Sequence, residues 1–201
     1  MNFYQEIITQ KSWQVLKNLQ GKFAFTLIGG WAVWLYTHAL KSKDIDIIVG
    51  YEALGELKRI FEVSKNGRLK KYEAKVAEVD LDIYLPFYSN PGLPAELIQK
   101  YARKREGFSV PRPEILLILK QKVFEERKAS IKGQKDKLDI FSLLTLDLDL
   151  PFYQKALKET GQEELIKKLK DLFQATVRLK EISLNDYQMA KLKERVLKGL
   201  L

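Results

Sequence analysis

Apolar positions along the first ninety residues change period several times, and each change marks an element. FYQEIITQKSWQVLKNL, with Phe3, Ile7, Ile8, Leu16 and Leu19 near helical spacing, predicts a helix that stops at Gly21. KFAFTLI (22–28) is an apolar run of strand length, followed directly by Gly29-Gly30. WAVWLYTHAL reads as a helix packed on a sheet, and DIDIIV (44–49) as a strand with alternation at its start. After Gly50, EALGELKRIFEVSK takes helical spacing up to the Asn66-Gly67 turn. LKKYEAKV (69–76) and EVDLDIYLPF (78–87) predict two further strands.

At YSNPGLP (88–94) two prolines, a glycine and an asparagine form a linker. Beyond it the spacing is helical throughout, in PAELIQKYARKR, PEILLILKQKVFEERKA, KDKLDIFSLL, PFYQKALKE, EELIKKLKDLFQATVRL and LNDYQMAKLKERVLKGL. Pro94, Pro113 and Pro151 sit where first helical turns accept proline. The expectation is an α/β (α+β) chain: a small mixed sheet with flanking helices over 1–90, then a helical domain over 91–201.

Composition narrows the chemistry. With 201 residues, 46% of them apolar and 30% charged, the chain can bury a core. No run of apolar residues reaches membrane-spanning length, and the first residues lack a secretory layout, so a cytoplasmic setting without membrane is expected. Zero cysteines exclude disulfides, thiolate metal sites and cysteine nucleophiles, and one histidine excludes a histidine-rich metal centre. Carboxylates, lysines, backbone groups and hydroxyls remain. Of the net charge of +9, +6 lies between Lys100 and Asp139, which suits a polyanionic partner such as nucleic acid or a nucleoside triphosphate.

Alternation places Asp44 and Asp46 on one face of their strand and Ile45 and Ile47 on the other. Two carboxylates so close repel unless a cation sits between them, and oxygen-only ligation suits Mg2+ or Mn2+. EVDLDIYL offers Asp80 and Asp82 in the same pattern. If the strands are neighbours, three carboxylates converge, enough for a two-metal site. Asp82 is favoured as the third for its apolar surroundings; Asp80 stays open. Strand, Gly29-Gly30 and helix together outline a phosphate cradle. Lys120 lies on an apolar helix, where Lys120→Met is expected to change folding little, and Asp136 and Asp139 share one helix face. Trp31 and Trp34 read as core, with Trp31 near enough to the turn to touch a nucleotide, and His38 as a packed or surface residue; Phe87 reads as packing at the domain junction.

The pattern LIGGWAVWLY, KSKDIDIIV and VDLDIYLPF resembles the polymerase-beta-like nucleotidyltransferase superfamily. ILLILKQKVFEERKASIKGQKDKLDIFSLL is similar to the second half of its minimal members related to the AbiEii and MenA toxins, with Lys120, Arg127 and a KDxxDI element at Lys135-Asp136-Lys137-Leu138-Asp139-Ile140. The resemblance spans roughly residues 22 to 145. It implies a metal-dependent transfer of a nucleoside monophosphate from a triphosphate, releasing pyrophosphate. The acceptor would be an RNA 3′ end such as that of tRNA, or a protein hydroxyl, with an antitoxin protein as a further partner. It implies Asp44, Asp46 and Asp82 as metal ligands, and Lys120 and Asp139 (or Asp136) in catalysis. Gly29, Gly30, Lys43, Lys120, Arg127 and Lys135 would lie on the nucleotide. Gly30 stands where many relatives carry serine, so backbone replaces a hydroxyl there. A non-catalytic nucleotide- or RNA-binding module of the same fold, and an aminoglycoside nucleotidyltransferase, are the competing readings.

Overall fold

The computed structural model describes the backbone from Phe3 to Leu200 and side chains from Glu6 to Leu200; the Phe3 side chain lies outside the described residues. The chain divides into two units, Met1–Arg112 and Pro113–Leu201. The division therefore falls after residue 112 and not at 90, because the segment beyond the linker returns to the sheet.

The first unit contains α1 (Phe3–Leu19), β1 (Phe25–Ile28), α2 (Gly29–Thr37), β2 (Ile45–Val49), α3 (Tyr51–Ile60) and β3 (Val63–Asn66). It continues with β4 (Lys71–Val76), β5 (Val79–Tyr84), α4 (Ala95–Lys100), β6 (Ala102–Arg105) and β7 (Phe108–Pro111). The strands form one seven-stranded sheet in the order β3-β4-β5-β2-β1-β7-β6. β2 runs parallel to β5 and β1 to β7; the other pairs are antiparallel. Leu27, Ile45, Ile47, Leu81 and Ile83 point to one face and are fully buried, with α2 packed on β1 and β2 and α1 on β5. Each such side chain contributes about 1.5–3 kcal/mol by leaving water. Alternation sends Thr26, Asp46 and Asp82 to the opposite face.

Three expectations are corrected here. Residues 94–105 are not one helix: α4 stops at Lys100, and β6 and β7 form a hairpin. Its turn, Glu106-Gly107, has φ of 48° and 82°, the left-handed pair that a two-residue hairpin loop requires. ARKR has no apolar alternation because it is an exposed edge strand, and β3 at the opposite edge was hidden for the same reason. Trp31, by contrast, is core as the sequence indicated, 1% exposed, with its Nε1 donating to Ser12 Oγ at 2.8 Å. Phe87 is 85% exposed at φ 60° and packs no junction.

The second unit is helical as expected: α5 (Pro113–Arg127), α6 (Ile131–Leu144), α7 (Leu150–Glu159), α8 (Glu164–Gln174) and α9 (Asp186–Gly199), with a short 3-10 turn at Lys180–Ile182. Side chains satisfy the helix starts. Ser130 accepts from Gly133 N at 3.0 Å, Asp149 from Phe152 N at 2.9 Å, and Asn185 forms a capping box with Gln188. The α5–α6 turn is tight enough that a Cβ at Gly133 would sit 2.8 Å from Lys128 Cα. Among the described residues no helix is long and apolar enough to cross a membrane.

Candidate active site

β1 ends at Ile28 and α2 begins at the next residue, so the strand–glycine–helix turn is present. Gly29 has φ +69°, and a Cβ there would lie 2.7 Å from Asp46 Cγ. The antiparallel register sets Ile28 opposite Asp46. Gly29 is therefore required first by the Asp46 carboxylate, which approaches the chain where a side chain would otherwise stand.

Asp46 is in turn opposite Asp82 on the parallel strand β5, and Asp82 is opposite Glu73 on β4. Three carboxyl-bearing residues thus stand abreast across β2, β5 and β4 on one sheet face. Asp44 sits just before β2, two residues from Asp46, and its charge acts on Asp82. Asp80 is separate: its side chain is 65% exposed and lies 3.6 Å from Lys75 Nζ. By this register Asp82, and not Asp80, stands beside Asp46.

Lys71, which the sequence reading missed, reaches into the row. Its Nζ is 2.6 Å from Asp82 Oδ2 and 2.9 Å from Glu73 Oε1. Burial pulls the ammonium down, but its bonds to Asp82 and Glu73 outweigh this and hold it above the usual lysine value. Burial pushes the Asp82 carboxyl up; Lys71 opposes, while the Glu73 and Asp44 charges add to the rise. For Asp82 burial prevails over Lys71, and for Lys71 the two carboxylates together prevail over burial. One signal was available: a two-residue turn at Ala77-Glu78 pairs Val76 with Val79, and counting back sets Glu73 beside Asp82.

Among the described residues no group of three histidine, cysteine, aspartate or glutamate side chains is gathered closely enough to hold a metal ion. The donor set nevertheless fits a hard divalent cation in kind, with carboxylate oxygens only, excess negative charge, and Asp46 seated where a Cβ would block it. Asp44, Asp46 and Asp82 are the residues that would hold it.

No protein-family model matches this chain, and no curated protein does. Solved structures do. A candidate nucleotidyltransferase from H. pylori aligns over 100% of this chain and 97% of its own, at 15% identity and a TM-score of 0.55. JHP933 from Helicobacter pylori aligns over 100% and 93%, at 14% identity and a TM-score of 0.53. The fold is that of a nucleotidyltransferase. A protein of Thermotoga maritima, TM1012, aligns over 60% of this chain and 89% of its own, at 20% identity and a TM-score of 0.46.

The second unit brings together the other sequence candidates. Lys120 Nζ lies 3.1 Å from Asp136 Oδ1 and 2.7 Å from Asp139 Oδ2, and Arg127 Nε donates to Asp136 Oδ2 at 2.8 Å. Both aspartates are 1% exposed. Burial works against the Lys120 ammonium, but the Asp139 and Asp136 charges prevail and keep it above the usual lysine range. Lys120 is thus a buried cation clasping α5 to α6, and Asp136 and Asp139 are its anions. Neither Asp139 oxygen has an aligned hydrogen-bond donor, although Lys120 is at ion-pairing distance. Arg127 is the outward member, its side chain 40% exposed. Lys135 is half-buried on α6, and Lys43 is exposed beside Asp44.

Proposed function

We propose that the chain is a nucleotidyltransferase that moves a nucleoside monophosphate from a triphosphate to an acceptor hydroxyl and releases pyrophosphate. The observation that carries this reading is the register of Asp46 with Asp82, with Asp44 beside them and Gly29 yielding space to Asp46.

Phosphoryl chemistry of this kind needs positioning and charge neutralisation more than a nucleophile on the protein. That suits a chain with no cysteine and one histidine. A Mg2+ or Mn2+ ion held by Asp44, Asp46 and Asp82 would neutralise the triphosphate and activate the attacking hydroxyl. The chain's own groups do the rest. The start of α2, with N–H groups of Gly29 and Gly30 not yet used within the helix, attracts phosphate oxygens. Lys71 fixes Asp82 through Oδ2, leaving Oδ1 as the oxygen it does not engage. A carboxylate that holds a proton more tightly than usual is suited to accept one from the incoming hydroxyl. Lys43, Arg127 and Lys135 are assigned to anionic groups of the substrates. Lys120 is assigned a positioning role, with Asp136 and Asp139 as its anions.

The acceptor assigned is the 3′ end of an RNA, favoured over a protein hydroxyl by the +6 excess between Lys100 and Asp139. The AbiEii and MenA resemblance adds the role of a toxin with an antitoxin partner; the KDxxDI element supports that part. Titration calorimetry with a non-hydrolysable triphosphate tests the site. Binding should strengthen with Mg2+ in the native chain and lose that dependence in Asp44→Asn/Asp46→Asn. Equal metal linkage in both would remove the assignment.

A further inference from the structure

The edge strand β6 carries Arg103, Lys104 and Arg105, all exposed, with exposed Lys100 just before it. Among the described residues none of these four cations is paired with a carboxylate, although other exposed cations of the same unit are. Lys11 pairs with Glu78, and Lys75 with Asp80.

The two arginines are also held in place. Arg103 Nε donates to Tyr36 Oη at 3.2 Å, and Tyr36 Oη donates to Pro111 O at 3.0 Å. Arg105 Nε donates to Leu35 O at 3.0 Å, in the last turn of α2. The guanidinium carbons lie 5.7 and 5.4 Å from the centroid of the one Tyr36 ring. Each Nε is thereby committed, which leaves the terminal nitrogens of each fork as the donors for a ligand. Two cations gathered on one ring without an anion repel each other, an arrangement that an incoming anion would relieve.

We propose that β6 is a binding edge for the phosphodiester backbone of a nucleic-acid strand, with Arg103 and Arg105 each on one phosphate. Residues two apart on an extended strand repeat every ~6.7 Å, comparable with neighbouring phosphates along a stretched single strand. Arginine forks match phosphate oxygens two at a time, where lysines would act only as point charges. Lys104, pointing to the other side of the edge, and Lys100 add field without fixing register. An acidic polypeptide is less well matched, since its carboxylates have no comparable fixed repeat. The proposal goes beyond the transfer reading and stands whether or not the aspartates bind triphosphate.

The test is fluorescence anisotropy with the full chain and labelled single strands of about 20 nucleotides, one RNA and one DNA, between about 50 and 200 mM salt. In Arg103→Gln/Arg105→Gln the log–log salt slope should fall by about 1.4, two phosphate contacts on a single strand, and affinity at the lower salt by about tenfold. Lys75→Gln, which removes a paired cation of the same unit, should leave the slope as it was. Arg103→Lys/Arg105→Lys should recover the slope but not the full affinity, and it keeps the charge near α2 should the glutamine variant fold poorly. Binding of both RNA and DNA supports backbone recognition, and binding of RNA alone adds a contact to the 2′-hydroxyl. An unchanged slope in the double glutamine variant, an equal fall in Lys75→Gln, or binding of polyglutamate but neither strand overturns the proposal. Triphosphate calorimetry on the same variants should be unaltered, which separates this edge from the aspartate site.

Discussion

Lys71 Nζ stands 2.6 Å from Asp82 Oδ2, so the middle carboxylate of the row already holds a cation of the chain's own. A divalent ion must compete with that ammonium or share the oxygen pair with it. Lys71→Met should therefore tighten Mn2+ binding severalfold in calorimetry. Without metal, the same change should cost about 1–3 kcal/mol of stability, because Asp82 and Glu73 lose their counter-ion. Weaker Mn2+ binding in the variant would show that Lys71 assists the metal.

Asp82 also predicts a pH dependence. Burial raises its carboxyl above the ordinary value, so the protonated form persists to higher pH in the folded chain than in an ordinary aspartate. Protonated Asp82 offers no charge to a cation. Mn2+ affinity should thus fall as pH drops through a range above the usual aspartate value near 4. In Asp82→Asn that part of the pH profile should vanish, and its persistence would assign the proton elsewhere.

Gly29 and Gly55 give opposite expectations for one substitution. Gly29→Ala meets both a left-handed φ and the Asp46 carboxylate, and should destabilise by at least about 1–2 kcal/mol while abolishing metal-linked triphosphate binding. Gly55, inside α3 with open space around it, should gain about 0.5–1 kcal/mol as alanine. Thermal unfolding of the two variants checks both signs.

The sequence expectation that Lys120→Met would leave folding little changed is reversed by the Asp136 and Asp139 contacts. Removing the ammonium strands buried Asp139 and leaves Asp136 with Arg127 alone, and should cost about 3–5 kcal/mol in denaturant unfolding. Asp136→Asn/Asp139→Asn in the same background should return part of it. Because the Lys120 value is raised in the fold, its contribution is complete below the unfolded lysine value near 10.4 and is lost only as pH rises through the higher folded value. The gap between native chain and variant should hold at neutral pH and narrow only under strong alkali.

What the sequence made legible was whatever alternates or repeats. Asp44/Asp46 and Asp80/Asp82 announced themselves because each pair is interleaved with buried Ile45, Ile47, Leu81 and Ile83. The helices of the second unit were readable from their spacing and from the prolines in their first turns. Edge strands were not, since β3 and β6 bury few side chains and so show no apolar period. Lys71 and Glu73 escaped for a different reason. Their meaning lies in a cross-strand register fixed by the Ala77-Glu78 turn, whose left-handed residues are not glycine and carry little turn signal.

The central claim is that an α-phosphate is transferred by the aspartate row. The full chain should be incubated with Mg2+, total RNA and each nucleoside triphosphate in turn, labelled either at the α- or at the γ-phosphate. Transfer predicts that α-label enters a macromolecular product while γ-label leaves as pyrophosphate, and that Asp44→Asn/Asp46→Asn abolishes both. Incorporation of γ-label, or α-labelling undiminished in that variant, would contradict it.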